Sequence, residues 1–289
     1  MPKLSIVLPA KNEAASLETV LRDLKRVVPD AEIIVVNDGS TDSTATVCAQ
    51  SGIKMVSHPY SMGNGAAIKS GARAATGDVL IFMDADGQHD PTDIPKLLAK
   101  LDEGYDMVVG ARDGSSQSSR GRWIANTLYN RMSSWMVGHP ILDLTSGFRV
   151  ARAEKFREFL HLLPNGFSYP TTSTMAFFRA GYSIAYVAIT AKKRAGDSHI
   201  RPLQDGIRFL LIIFKVGTLY SPLKMFLPFS VLYFVMGLSY YAYTYATEHR
   251  FTNMSALLLS ASVIIFLIGL ISEQITNLLY SLPRGRHES

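Results

Sequence analysis

With 289 residues, 47% of them apolar, the chain has room for one large domain or for a medium domain with an appendage. Its net charge of +5 suits phosphates or an anionic membrane surface. No dense basic stripe and no alternation of Arg with aromatic residues offers a nucleic-acid groove, so nucleic acid is excluded as a partner. A single cysteine, Cys48, rules out an intrachain disulfide, and the strand-like opening LSIVLP is too short for the apolar region of a signal peptide.

Leu4 to Leu8 is a short apolar run stopped by Pro9, and predicts a buried strand followed by the polar turn Ala10 to Glu13. Leu17, Val20, Leu21, Leu24 and Val27 have amphipathic-helix spacing, which predicts a helix from Glu13 to Val28. A second strand, Ala31 to Val36, empties into Asn37, Asp38, Gly39 and Ser40. Ser40, Thr41 or Asp42 caps the next helix, which runs towards Gln50, and Ile53 to Ser57 is a third strand. A glycine turn at Gly63 to Gly65 leads into a helix over Ala66 to Ala75. Val79 to Met83 is a fourth strand, and it runs directly into Asp84, Ala85, Asp86, Gly87, Gln88, His89 and Asp90.

Strand and helix alternating at this spacing predict parallel βαβ units, with ligands beyond the carboxyl ends of the strands. Three polar clusters fall on that edge: Pro9 to Glu13, Asn37 to Ser40, and Asp84 to Gln88. Carboxylates one residue apart repel unless a cation compensates, and oxygen ligands of this kind suit Mg²⁺ or Mn²⁺. No GxGxxG follows the first strand, which argues against a dinucleotide fold.

Beyond this point Asp90 caps a helix over Pro91 to Leu101, and Met107 to Gly110 is a strand that brings Arg112 to the same edge, where its fork suits a phosphate oxygen. GSSQSSRG is expected as a surface loop. Trp123 to Val137 is expected as a helix with Ile124, Leu128, Met132 and Trp135 on one face, its tryptophans used in packing. Asp143 to Arg149 forms a polar insertion before a helix over Ala153 to Leu163. Phe177 to Tyr182 is a helix end, Ile184 to Thr190 a strand, and Lys192 to His199 a basic segment. Gln204 to Leu219, apolar but interrupted by Asp205, Arg208 and Lys215, suits an interfacial helix. Met225 to Thr247 and Phe251 to Ser272 carry no charged residue, and each is about 33 Å long as a helix, enough to cross a bilayer. Tyr233, Tyr240, Tyr241, Tyr243 and Tyr245 suit an interfacial belt. Glu273 is expected at the interface. Lys215, Lys224, Arg284 and Arg286 flank the pair, which puts both termini and the globular part on the cytoplasmic side.

These residues carry a resemblance. LSIVLPAKNE (Leu4 to Glu13), VVNDGSTD (Val35 to Asp42), GNGAAI (Gly63 to Ile68), DADGQHDP (Asp84 to Pro91), VVGAR (Val108 to Arg112) and DLTSGFR (Asp143 to Arg149), with the basic KKRAGDS ending at Ser198, resemble family 2 glycosyltransferases. Within that family the chain resembles the branch of dolichyl- and polyprenyl-phosphate sugar synthases. The resemblance implies a GT-A-type α/β domain with a mainly parallel sheet over 1–200, interfacial helices over 201–224, and a two-span transmembrane hairpin with a basic tail over 225–289. It implies inverting, metal-dependent transfer of a hexose from a nucleotide-sugar (GDP-mannose, UDP-glucose or a UDP-N-acetylhexosamine) to undecaprenyl or dolichyl phosphate, at the cytoplasmic membrane or one of ER type.

Pro9, Lys11, Asn12 and Glu13 would border the nucleotide, with Asp38 on the base. Asp84 and Ala85 would contact the donor, while Asp86 and Gln88 would hold Mg²⁺ or Mn²⁺, with Asp84 a further metal candidate. Arg112 and Arg194 would bind phosphates, Ser198 would sit in an active-site loop, and Asp143, Thr145, Ser146 and Arg149 would shape the acceptor site. The catalytic set implied is therefore Asp84, Asp86, Arg112, Arg194 and Ser198. Relatives of this branch often carry lysine after the loop serine, where this chain has His199. A homo-oligomer is a further expected partner state.

Three alternatives stand beside this reading. A processive synthase normally has a QxxRW helix, and the chain has serine at Ser119 before Arg122 and Trp123. Transfer to a protein or polysaccharide hydroxyl calls for a separate catalytic carboxylate. A non-catalytic membrane scaffold is opposed by the intact Asp84, Asp86 and Gln88.

Overall fold

In the computed structural model the structure describes residues 2–112, 120–166, 168–190, 214, 217, 218 and 220–281. The chain divides into two compact units, Met1–Ile200 and Arg201–Ser289.

The first unit is built on a seven-stranded sheet. In chain order its strands are β1 (Leu4–Ala10), β2 (Glu32–Asn37), β3 (Lys54–Ser57), β4 (Val79–Phe82), β5 (Met107–Arg112), β6 (Arg149–Arg152) and β7 (Ile184–Ile189), and they lie in the order β3-β2-β1-β4-β6-β5-β7. β1 pairs in parallel with β2 and β4, β2 with β3, and β5 with β7. Parallel strands buried on both faces need continuous apolar runs, and Ile6, Val7, Leu8, Ile33 to Val36 and Val79 to Phe82 supply them.

β6 is the departure from the expected sheet. It runs antiparallel between β4 and β5, with Phe82 opposite Arg149 and Val109 opposite the same residue, so the sheet is mostly parallel but mixed. RVAR has no apolar run and hides inside a polar segment, which is why the sequence shows six strands and not seven.

The helices are α1 (Ala14–Val27), α2 (Thr44–Gln50), α3 (Asn64–Ala74), α4 (Ile94–Asp102), α5 (Arg120–Val137), α6 (Ala153–Arg157) and α7 (Tyr169–Arg179). α1 turns Leu17, Val20, Leu21 and Leu24 into the core, as its spacing requires. Asp90 accepts a hydrogen bond from Thr92 N at 3.0 Å and so caps the 3₁₀ turn Pro91–Asp93 that opens α4. The helix expected over Ala153 to Leu163 stops at Arg157 and gives way to turns. α7 starts at Tyr169, well before the expected helix end, because Thr171 to Thr174 are buried polar residues without an apolar signature. On α5 two residues of the expected face are turned outward: Leu128 and Trp135 are 59% and 55% exposed, while Tyr129, Ser133 and Met136 are buried.

The second unit is a helical pair, α8 (Pro222–Glu248) and α9 (Asn253–Ser281), longer than the charge-free runs suggest. At 1.5 Å per residue each exceeds the roughly 30 Å of a hydrocarbon core. In their most apolar stretches 11% and 17% of residues are buried, whereas core helices of a soluble protein are mostly buried. Small residues let the two approach: a Cβ at Gly237 would meet Leu258 and Leu259 at 3.1 Å, and Ser230 Oγ donates to Ser262 O at 3.0 Å. Glu273 accepts from Leu223 N at 3.3 Å, in the first turn of α8. Of the expected interfacial helix over 204–219, only 214, 217 and 218 are among the described residues, and they are helical.

Candidate functional site

The carboxyl ends of β1, β2 and β4 converge. Asn12, at φ 57°, fixes the turn after β1: its N–H donates to Ser40 Oγ at 3.0 Å and its Oδ1 accepts from Thr41 N at 2.8 Å. Glu13 N donates to Thr44 Oγ1 at 3.1 Å, so the first two polar clusters are stitched together. The third is joined to them through Ser16, whose Oγ donates to Ala85 O at 2.8 Å. Between them lies an open cleft of about 450 Å³, lined by Pro9, Lys11, Glu13, Asp38, Asp84, Ala85 and Asp86 and by the unforeseen Ser61, Gly63, Asn64 and Ala67. The glycine turn at Gly63 to Gly65 was the sequence signal for that last wall.

Asp38 sits in this cleft but spends both carboxylate oxygens on its wall. Oδ1 meets His58 Nδ1 and Met62 N, each at 2.7 Å, and Oδ2 accepts from Ser61 Oγ and Gly63 N, each at 2.9 Å. Burial pushes this carboxyl up, but those four bonds outweigh it and hold it below the ordinary carboxylate value. His58 is anchored in turn by Ser70 Oγ at 2.9 Å from Nε2. No motif marks His58 in the sequence.

Gly87, at φ 74°, turns the chain after Asp86, and Gln88 N donates to Asp86 Oδ1 at 3.0 Å. Asp84 packs against the Asp143 to Arg149 segment so closely that a Cβ at Gly147 would meet its Oδ2 at 2.8 Å. His89 is buried with its Nε2 3.8 Å from Asp84 Oδ2 and its Nδ1 without a hydrogen-bond partner. Among the described residues no three His, Cys, Asp or Glu side chains converge to form a closed metal site. Asp86, Gln88 and Asp84 offer oxygen donors, few in number, which fits an ion that keeps waters and takes the remaining ligands from substrate phosphates.

Arg112, at the end of β5, reaches across to the Asp143 to Arg149 segment. Its Nε and Nη2 donate to Asp143 Oδ2 and Oδ1 at 2.8 and 3.1 Å, and Nη2 also donates to Thr145 Oγ1 at 2.7 Å. Asp143 is buried, which would raise its pKa, but Arg112 and the backbone N–H groups of Arg112 and Thr145 hold it below the ordinary value. The same pairing holds the partly exposed Arg112 above its ordinary value against the pull of burial. Ser146 and Arg149, expected with Asp143 and Thr145 at the acceptor, are fully buried. Arg149 donates to the carbonyls of Ser146 and Pro170 and to Ser173 Oγ and Thr174 Oγ1, so it ties β6 to the start of α7 and faces no open surface. Burial pulls its pKa below the ordinary guanidinium value, with Tyr169, Tyr186, Asp143 and Asp84 acting in the opposite sense. Arg194 and Ser198 lie outside the described residues.

A family model described as glycosyl transferase family 2 matches residues 5–160, and one described as GtrB C-terminal hairpin matches 221–278. The chain is 28% identical over 215 residues to a dolichyl-phosphate hexose transferase of Haloferax volcanii, covering 74% of this chain and 93% of that one. It is 26% identical over 286 residues to glycosyltransferase AglJ of the same organism, covering 94% and 93%. Among solved structures, glucosyl-3-phosphoglycerate synthase from Mycobacterium tuberculosis, in complex with Mn²⁺ and UDP-glucose, superimposes with a TM-score of 0.60 at 26% identity, covering 75% of this chain and 78% of that one.

Proposed function

The chain belongs to glycosyl transferase family 2 and carries a GtrB-type C-terminal hairpin, and from that premise we propose that it transfers a hexose, with inversion, from a nucleotide-sugar to a polyprenyl phosphate at the cytoplasmic face of a membrane. The observation that carries this reading is the meeting of two sites at Asp84. On one side of that carboxylate is the cleft of Lys11, Glu13, Asp38 and Asp86; on the other, Gly147 joins it to the segment that pairs Arg112 with Asp143 and Thr145. The relative named as a dolichyl-phosphate hexose transferase, and the neighbour in complex with Mn²⁺ and UDP-glucose, support the same assignment.

Within it, Asp38 shapes the base end of the donor cleft, and Pro9, Lys11, Asn12 and Glu13 border the nucleotide. Asp86 and Gln88, with Asp84, hold Mg²⁺ or Mn²⁺, which supplies charge neutralisation to the departing nucleoside diphosphate. Arg112, oriented by Asp143 and Thr145, binds phosphate, and the family resemblance assigns Arg194 to phosphate and Ser198 to the active-site loop. The acceptor needs no strong general base. A phosphate monoester with a second pKa of about 6 is already a dianion near neutrality and is itself the nucleophile.

The test is a matrix of nucleotide-sugars against undecaprenyl and dolichyl phosphate, with the product anomer determined and chelator added in parallel. Expected is a β-linked lipid-phosphate sugar from an α-linked donor, abolished by chelator. Equal transfer to free sugars without lipid phosphate, or full activity in excess chelator, would overturn the acceptor or the metal assignment respectively.

A further inference from the structure

α5 carries a surface that the reaction does not use. Both tryptophans of the chain, Trp123 and Trp135, lie in this helix, and its charged residues are Arg120, Arg122 and Arg131, with no Asp or Glu. Leu128, Arg131 and Trp135 follow the i, i+3, i+7 spacing of one helix face, and Leu128 and Trp135 are 59% and 55% exposed. On the segment that follows α5, Leu142 is 61% exposed. One exposed leucine means little, but Leu and Trp beside Arg on a single face, without an acidic residue, is the composition of a helix that lies in a lipid interface.

The position of this face adds a second argument. Asn130 Nδ2 donates to Leu142 O at 2.7 Å, and Asn130 Oδ1 accepts from Leu144 N at 3.2 Å. Ser134 Oγ accepts from Ile141 N at 2.9 Å. The helix that carries the face is thus fastened to the segment whose next residues, Asp143 and Thr145, hold Arg112. A phosphate on a polyprenyl chain stays at the membrane surface, so an enzyme that uses it must bring its acceptor segment there.

We propose that the Leu128–Arg131–Trp135 face of α5, with Leu142, docks on an anionic lipid surface and so sets the acceptor segment at the depth of the lipid phosphate. The inference rests on the polyprenyl-phosphate reading for its purpose, but its occupant, the bilayer, is testable without turnover. Leucine and tryptophan enter the headgroup boundary, Arg131 meets lipid phosphates, and the buried side of the helix stays in the protein core.

The experiment uses the full chain with Trp123→Phe, which leaves Trp135 as its one indole, in nanodiscs containing acidic phospholipid with or without bromine on the acyl chains. Expected is loss of most Trp135 emission with brominated lipid and weak quenching by aqueous iodide. The difference between the wild type and Trp135→Phe gives the same signal if the first variant does not fold. Strong iodide quenching with no bromolipid effect places the face in water and overturns the proposal. Shielding from both, together with cross-linking between copies through this face, assigns it to a second copy and also overturns it. In activity, Leu128→Glu is expected to raise KM for polyprenyl phosphate about ten-fold, the equivalent of one apolar side chain lost from the interface, with donor KM unchanged. A wild type inactive on polyprenyl phosphate but quenched by bromolipid would strike the proposed acceptor and leave the docking face standing.

Discussion

Asp143 and Arg149 lie six positions apart in one motif, yet they do different physical work. Asp143 accepts from Arg112, Thr145 and Ser146, so its charge organises a cation that stays partly exposed. Asp143→Asn keeps the shape and loses the charge, and a hydrogen bond to a charged group contributes about 1.5–3 kcal/mol. We expect a destabilisation of about 2 kcal/mol by thermal melting in detergent, with a larger loss in turnover because Arg112 loses its orientation. The pH dependence follows from the lowered pKa of Asp143. The stabilisation is complete above the unfolded carboxylate value of about 4 and is lost as pH falls through the lower folded value, so the gap between wild type and variant closes only in acid. Arg149 has no exposure, and its guanidinium is occupied by carbonyls and hydroxyls of the protein. Arg149→Lys is therefore expected to lower the melting temperature before it touches acceptor KM. A raised acceptor KM at unchanged melting temperature would instead make Arg149 a direct acceptor contact.

At the scale of elements, α3 and the turn before it form one wall of the cleft proposed for the donor, and that wall depends on glycine. The 164–166 segment lies across the helix start, where Gly65 N donates to Gly166 O at 3.1 Å and Ala66 N to Asn165 O at 2.9 Å. A Cβ on Gly65 would stand 1.9 Å from Pro164 O. Gly65→Ala must push that backbone away, at a cost of about 1–3 kcal/mol for overpacking, and it shifts Gly63 and Asn64, which line the cleft. Donor KM is expected to rise while acceptor KM holds, as bisubstrate kinetics would show. Elements like this one also mark what a sequence reveals. β1, β2 and β4 were legible because parallel strands buried on both faces must be apolar throughout, and their polar ends then display the site. β6 was not, because its two arginines mask a strand whose partners lie far away in sequence. Asp38 was legible as a cleft residue but not as a builder of the cleft wall, since its partners His58, Ser61, Met62 and Gly63 come from beyond the third strand. The exposure of Leu128 and Trp135 was hidden for a related reason: periodicity finds the apolar face of a helix but not the medium it faces.

At the scale of the whole molecule, the two units are built for different solvents. The first closes its apolar residues around a sheet, whereas the second leaves Leu232, Phe234, Val263, Ile264 and Ile271 about half exposed on helices long and apolar enough to cross a bilayer. If both helices cross a bilayer, the two flanks of the pair share one side and the turn at Glu248 to Arg250 occupies the other. The positive-inside rule, applied to Lys224, Arg284 and Arg286, leads us to expect these flanks in the cytoplasm. The chain is convenient for testing this. Its one cysteine, Cys48, is fully buried, and burial pushes its thiol up, which suppresses the reactive thiolate. A cysteine introduced at exposed Arg250 is expected to react with a membrane-impermeant maleimide added to intact cells, whereas one at exposed Glu18 reacts only after the membrane is opened. The reverse pattern would place the donor cleft outside the cytoplasm, away from nucleotide-sugars. Labelling of both positions in intact cells would break the two-span reading, and so would release of the protein from membranes by high salt, because charge contacts yield to salt and a buried helical hairpin does not.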